Sequence, residues 1–127
     1  MNVTEAQKQE AIRMANVIFN TLFWSIDMDI FGSWGVSHKN ATHFNQMPAL
    51  EMDVNGLKHK GKVMVCYDEG HDVFEVYLID SNYQIVKTMK DVYADELGRQ
   101  IDEAIEKPAG MTDIQYKGQM IQTVINA

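Results

Sequence analysis

The residues best equipped for chemistry are few, and their spacing argues against most reactions. The chain has four histidines, His38, His43, His59 and His71, and one cysteine, Cys66. The one close pair, His38 and His43, has no second pair to join it, and one thiol cannot complete a cysteine-rich ligand set. No metal site is expected, and His38 and His43 read as solvated imidazoles in a polar loop. Cys66 lies in the apolar run Val63-Met64-Val65-Cys66-Tyr67, where a buried, inert thiol fits a reducing cytoplasm. Asp68, Glu69, His71 and Asp72 gather carboxylates and an imidazole in one short stretch, which is acid–base equipment in kind. The same residues are ordinary turn formers, however, and a hairpin tip lacks the desolvating walls that would move a pKa toward neutrality. The sequence also lacks a G-x-S-x-G elbow, a phosphate-cradling glycine loop and an H-E-x-x-H pair. The expectation is a protein without catalytic residues or cofactor.

Charge offers more. The net charge is −7, with a sequence pI near 4.9, so the bulk field repels phosphate backbones and anionic membranes. Direct nucleic-acid binding is therefore not expected, whereas a basic protein surface would be attracted. Asp91, Asp95, Glu96, Asp102, Glu103 and Glu106 oppose a single base, Arg99, and helical spacing puts Asp95, Asp102 and Glu106 on one exposed side. Those three acids are the candidate partner-binding face. Two aromatics of a glycine-bearing loop, Phe31 and Trp34, complete the candidate binding set, although lids folded onto the core are their commoner use. Lys58, Lys60 and Lys62 with His59 form the one basic cluster, which reads as an edge-strand guard against aggregation, the alternative being contact with an acidic partner or RNA.

The elements that must position these residues follow from periodicity. Thr4-Glu5-Ala6-Gln7 has the form of a capping box, and Ala11, Ile12, Ala15, Ile18, Phe19, Leu22 and Phe23 recur behind it at helical spacing, predicting one amphipathic helix to about Trp24. Between Ser25 and Pro48 the period breaks, which suggests a loop with at most one short strand. Leu50, Met52 and Val54 then alternate with acids, and Asn55-Gly56 suits a type I′ hairpin turn. Strands follow over Leu57–Tyr67, Val73–Ile79 and Gln84–Met89. A second helix is expected from about Val92 to Glu106, capped by Asp91 and striped by Leu97, Ile101 and Ile105. Thr112-Asp113-Ile114-Gln115 repeats the capping-box pattern in the tail, with Gly118 weighing against a helix there. The fold class is α+β: an antiparallel meander of three to five strands, with an N-terminal and a C-terminal helix packed mainly on one face.

Apolar residues make up 46 % of the chain and charged residues 23 %, the usage of a folded globular protein, and no linker divides residues 1–127 into more than one domain. The start lacks signal-peptide character and no run is long enough to span a membrane, which predicts a cytoplasmic protein.

The strand Phe74-Glu75-Val76-Tyr77-Leu78 followed by Val92-Tyr93-Ala94-Asp95-Glu96-Leu97 is similar to small uncharacterised proteins of phages and other mobile elements. In that group an N-terminal helix and a glycine-bearing loop precede a strand pair, and a valine-tyrosine-alanine-aspartate stretch opens the last helix; Phe31-Gly32-Ser33-Trp34-Gly35 corresponds loosely to the loop. The resemblance implies a genomic context, not an activity. Together with the acidic surface it yields the leading expectation, a non-catalytic binding protein that inhibits a host defence system such as CRISPR by occupying a basic protein surface. Two alternatives stand beside it. One is a small-molecule or nucleotide-binding accessory domain with a pocket lined by Trp34, His38 and Tyr67. The other is a structural, self-associating homo-oligomer, for which nine methionines supply an adaptable apolar surface.

Overall fold

The structure is a computed structural model in which residues 4–106 are described. The tail pattern at Thr112–Gln115 lies outside them. Helix α1 (Glu5–Trp24) starts as the sequence dictates: the Gln7 amide donates to Thr4 Oγ1 at 3.1 Å and the Thr4 amide to Gln7 Oε1 at 2.9 Å, satisfying two otherwise orphaned donors. Its buried stripe is Ala11, Met14, Ala15, Ile18 and Leu22. Ile12, expected in the core, is 49 % exposed, because it sits one position, about 100°, round from Ala11.

The segment expected to be a loop contains a short helix α2 (Met28–Ser33) and a full strand β1 (His38–Phe44). β1 escaped detection because it is an edge strand of mostly exposed polar residues, with only Ala41 and Phe44 packed on apolar neighbours. Asn45 and Gln46 link it to β2 (Met47–Asn55) with φ of 51° and 65°, the paired positive angles of a type I′ hairpin. β3 (Lys60–Asp68), β4 (Val73–Ile79) and β5 (Ile85–Val92) continue an antiparallel five-stranded meander in the order β1-β2-β3-β4-β5.

Alternation then sorts the side chains. Leu50, Met52, Val54, Val63, Val65, Phe74, Val76 and Leu78 face the helices and pack with Ile18, Leu22, Trp34, Leu97, Ile101 and Ile105. Ala49, Met64, Cys66, Tyr77 and Ile79 form a second buried cluster on the opposite face, where burial pushes the Cys66 thiol up to about 12. The expected second helix is shorter than its pattern suggested. Val92 is the last residue of β5, Asp91 adopts φ 55° instead of capping, and a 3₁₀ turn (Ala94–Glu96) leads into α3 (Leu97–Ile105).

The β2–β3 connection closes the last turn of α3, and this corrects two expectations. Asn55 and Gly56 do not adopt the positive φ of a type I′ turn; the connection is a longer loop, Gly56–His59. Gly56 is required by proximity instead, since a Cβ there would lie 2.3 Å from the Ile105 carbonyl oxygen. The Lys58 amide donates to that same oxygen at 2.8 Å and the Lys58 ammonium donates to the Glu103 carbonyl, so the loop satisfies carbonyls left orphaned at the negative end of the helix dipole.

Candidate protein-binding surface

Of the acids placed on one exposed face, only Asp95 is exposed. Asp102 retains 4 % of its accessible surface and Glu106 5 %. Asp102 Oδ1 accepts the Trp34 Nε1–H at 2.8 Å, and Glu106 Oε2 accepts the Leu57 amide at 2.7 Å. The reason lies in where α3 begins. Because Ala94–Glu96 is a 3₁₀ turn, Asp95 is not in register with the helix, and the row Gly98, Asp102, Glu106, adjoining the apolar stripe, turns inward as well. Burial holds the Glu106 carboxyl above its usual range; the Leu57 amide counters this and the neighbouring Asp102 charge adds to it.

Trp34 and Asp102, 68 residues apart, are thus brought together as a buried couple and not as an exposed contact site. Trp34 is fully buried, the outcome in which the aromatic is a core lid. Phe31 is half-buried with its ring centroid 5.3 Å from Trp34 and 5.1 Å from Phe23, and the Lys39 ammonium lies 4.3 Å from the Phe19 ring beside them. Among the expected pocket residues, Tyr67 packs on Phe74, and His38 stands at the exposed start of β1. An open hollow of about 260 Å³ does exist between Asp53, Lys62, Asp80 and Tyr83, and none of Trp34, His38 and Tyr67 lines it.

The lysine cluster also disperses. β3 is the central strand, not an edge. Lys62 is held by Asp53 at 2.7 Å and Glu51 at 3.2 Å, Lys58 caps α3 from an exposed position, and Lys60 is exposed at the strand start. At the β3–β4 turn, His71 Nδ1 meets Asp68 Oδ2 at 2.9 Å and Tyr67 donates to Asp72 at 2.6 Å. The hydrogen bond raises the His71 pKa and lowers that of Asp68, both in open solvent, which is turn chemistry without a sheltered site. Among the described residues no cluster of three or more His, Cys, Asp or Glu side chains could hold a metal ion.

What remains exposed at the α3 end is a different acidic set. Asp91, Asp95 and Glu103 face solvent, with Glu96 partly covered. Arg99 spans Glu96 at 3.0 Å and Glu103 at 3.2 Å, so the only base of this segment is already engaged. Three exposed apolar side chains were missed at the sequence level: Tyr93, two residues before Asp95, at 60 %, and Trp24 and Met28, which flank the Ser25–Ile26 turn that lies on Gly98, at 90 % and 68 %. The signal was present for Trp24, which sits about 120° round α1 from Ile18 and so outside the buried stripe.

The chain defines an α+β fold with a five-stranded antiparallel meander. No family model matches it, and neither a curated protein nor a solved structure shows significant similarity. No described helix is long and apolar enough to cross a membrane.

Proposed function

We propose that the protein is a non-catalytic binding protein that docks on a basic surface of a protein partner. The observation that carries this reading is the run Asp91, Asp95, Glu96 and Glu103 at the junction of β5 and α3, four acids of which only Glu96 is partly covered, flanked by Arg99, already paired with two of them, by Lys58 on the Glu103 carbonyl and by Lys90, in a chain of net charge −7. Such a surface speeds encounter with a basic partner and rejects other acidic surfaces. The resemblance of Val73–Glu106 to mobile-element proteins makes a host defence complex such as CRISPR, whose basic groove holds nucleic acid, the first partner class to test.

The test is affinity capture from nuclease-treated host lysate, comparing the wild type with Asp95→Lys/Glu103→Lys. Basic proteins enriched by the wild type and lost from the variant, with defence activity reduced in cells expressing the wild type alone, are the expected result. Identical capture by the two proteins overturns the electrostatic reading.

A further inference from the structure

Three exposed apolar side chains, Trp24, Met28 and Tyr93, belong to segments that meet at the start of α3. Trp24 ends α1, Met28 begins α2, and Tyr93 leads into the 3₁₀ turn before α3. The chain folds these segments together. The Gly98 amide donates to Ser25 Oγ at 2.9 Å, and a Cβ on Gly98 would lie 2.6 Å from Ile26 Cβ, so the α1–α2 turn lies directly against the start of α3. The Glu96 amide donates to the Tyr93 carbonyl at 3.0 Å, closing the 3₁₀ turn that Tyr93 leads into, and that turn packs on α1. Val17, Thr21 and Trp24 recur at intervals of four and three, and Thr21 is in turn four residues before Ser25; this puts Trp24 on the flank of the α1 face that meets α3.

Resting on the proposed function, we infer that Trp24, Met28 and Tyr93 form the apolar centre of the acidic surface, and that this centre receives an arginine side chain of the basic partner. Exposed tryptophan and tyrosine ringed by polar groups are the side chains that dominate binding energy at protein interfaces. Charge selects the occupant: exposed Asp29 follows Met28 in the chain, and exposed Asp91 and Asp95 stand two residues to either side of Tyr93, so a second copy would bring like charges together, whereas a cation is drawn in. Arginine is favoured over lysine because its planar guanidinium stacks on an indole or phenol face and still forks to a neighbouring carboxylate.

A fluorophore-labelled deca-arginine peptide is the probe, with labelled deca-lysine as its control, followed by fluorescence anisotropy at low and physiological salt. The expected result is saturable, salt-sensitive binding that is tighter for deca-arginine, weakened on the order of tenfold by Trp24→Ala and less by Trp24→Phe. Circular dichroism should show Trp24→Ala folded, since the side chain is 90 % exposed. Salt-sensitive binding unchanged in both Trp24→Ala and Tyr93→Ala overturns this inference and leaves the electrostatic reading standing. No binding of either peptide at low salt overturns both. A dimer of the wild type that Trp24→Ala dissolves assigns the patch to a second copy and overturns the inference alone.

Discussion

The buried couple between Trp34 and Asp102 provides the sharpest test of how this fold is held together. Asp102→Ala leaves the Trp34 indole N–H, in a fully buried ring, without its acceptor at 2.8 Å. A hydrogen bond to a charged group contributes about 1.5–3 kcal/mol, and a buried donor left unpaired carries its full desolvation cost. Removing the Asp102 charge also relieves its repulsion of Glu106, which offsets part of the loss. The net expectation is a destabilisation of about 2 kcal/mol, a sizeable fraction of the 5–15 kcal/mol typical of a domain. Asp102→Asn keeps an acceptor in place and should cost less than about 1 kcal/mol. Trp34→Phe should cost more than either, about 3–5 kcal/mol, because it removes a hydrogen bond to a buried carboxylate and leaves a void. Urea denaturation followed by circular dichroism measures all three at pH 7. A loss below about 0.5 kcal/mol for Asp102→Ala, or equal losses for the alanine and asparagine variants, would refute the reasoning.

Three further outcomes follow from the same geometry. Gly56→Ala, whose methyl would meet the Ile105 carbonyl at 2.3 Å, should destabilise by about 1–3 kcal/mol as the loop is forced off the end of α3, seen as a lowered urea midpoint. Glu106 has a folded pKa above its unfolded value, so the native state holds the proton more tightly; stability falls as pH rises from the unfolded carboxyl value through the folded one and stays lower above it. Glu106→Gln removes that slope, and the variant-minus-wild-type difference in urea midpoint should grow between about pH 4.5 and neutrality and then level off. Cys66, buried and with its thiol raised to about 12, should resist a thiol reagent at pH 8 in the native protein and react promptly in denaturant; prompt native labelling contradicts its placement.

The elements with a strong period were legible. The capping box at Thr4, the stripe Leu97-Ile101-Ile105 and the alternation of Leu50-Met52-Val54 and Phe74-Val76-Leu78 each place apolar groups where the fold buries them. β1 was not legible, because an edge strand that buries little has no reason to alternate. Asn55-Gly56 misled for a related reason: glycine serves either positive φ or close approach, and only the position of α3, distant in sequence, decides which. The candidate site divided in the same way. Asp95 was placed correctly in solvent, while Asp102 and Glu106 were assigned there with it by helical spacing. Their partners, the Trp34 indole and the Leu57 amide, are 68 and 49 residues away, so no local pattern could reveal them.

That division changes how the proposed surface must be probed. Reversing Asp95, Asp102 and Glu106 together would bring two ammonium groups into the interior, one facing the Trp34 N–H and the other the Leu57 N–H, donors with nothing to accept. Loss of binding by that variant would report unfolding and not electrostatics. Asp95→Lys with Glu103→Lys alters charge where side chains are exposed, and exposed pairs such as Arg99 with Glu103 contribute at most about 1 kcal/mol. The unfolding midpoint of this variant should therefore lie close to that of the wild type, while its association with a basic partner slows and loses salt dependence. An unchanged salt slope in a variant that melts normally would mean that the acids serve solvation alone, and the apolar patch around Trp24 would then have to act without them.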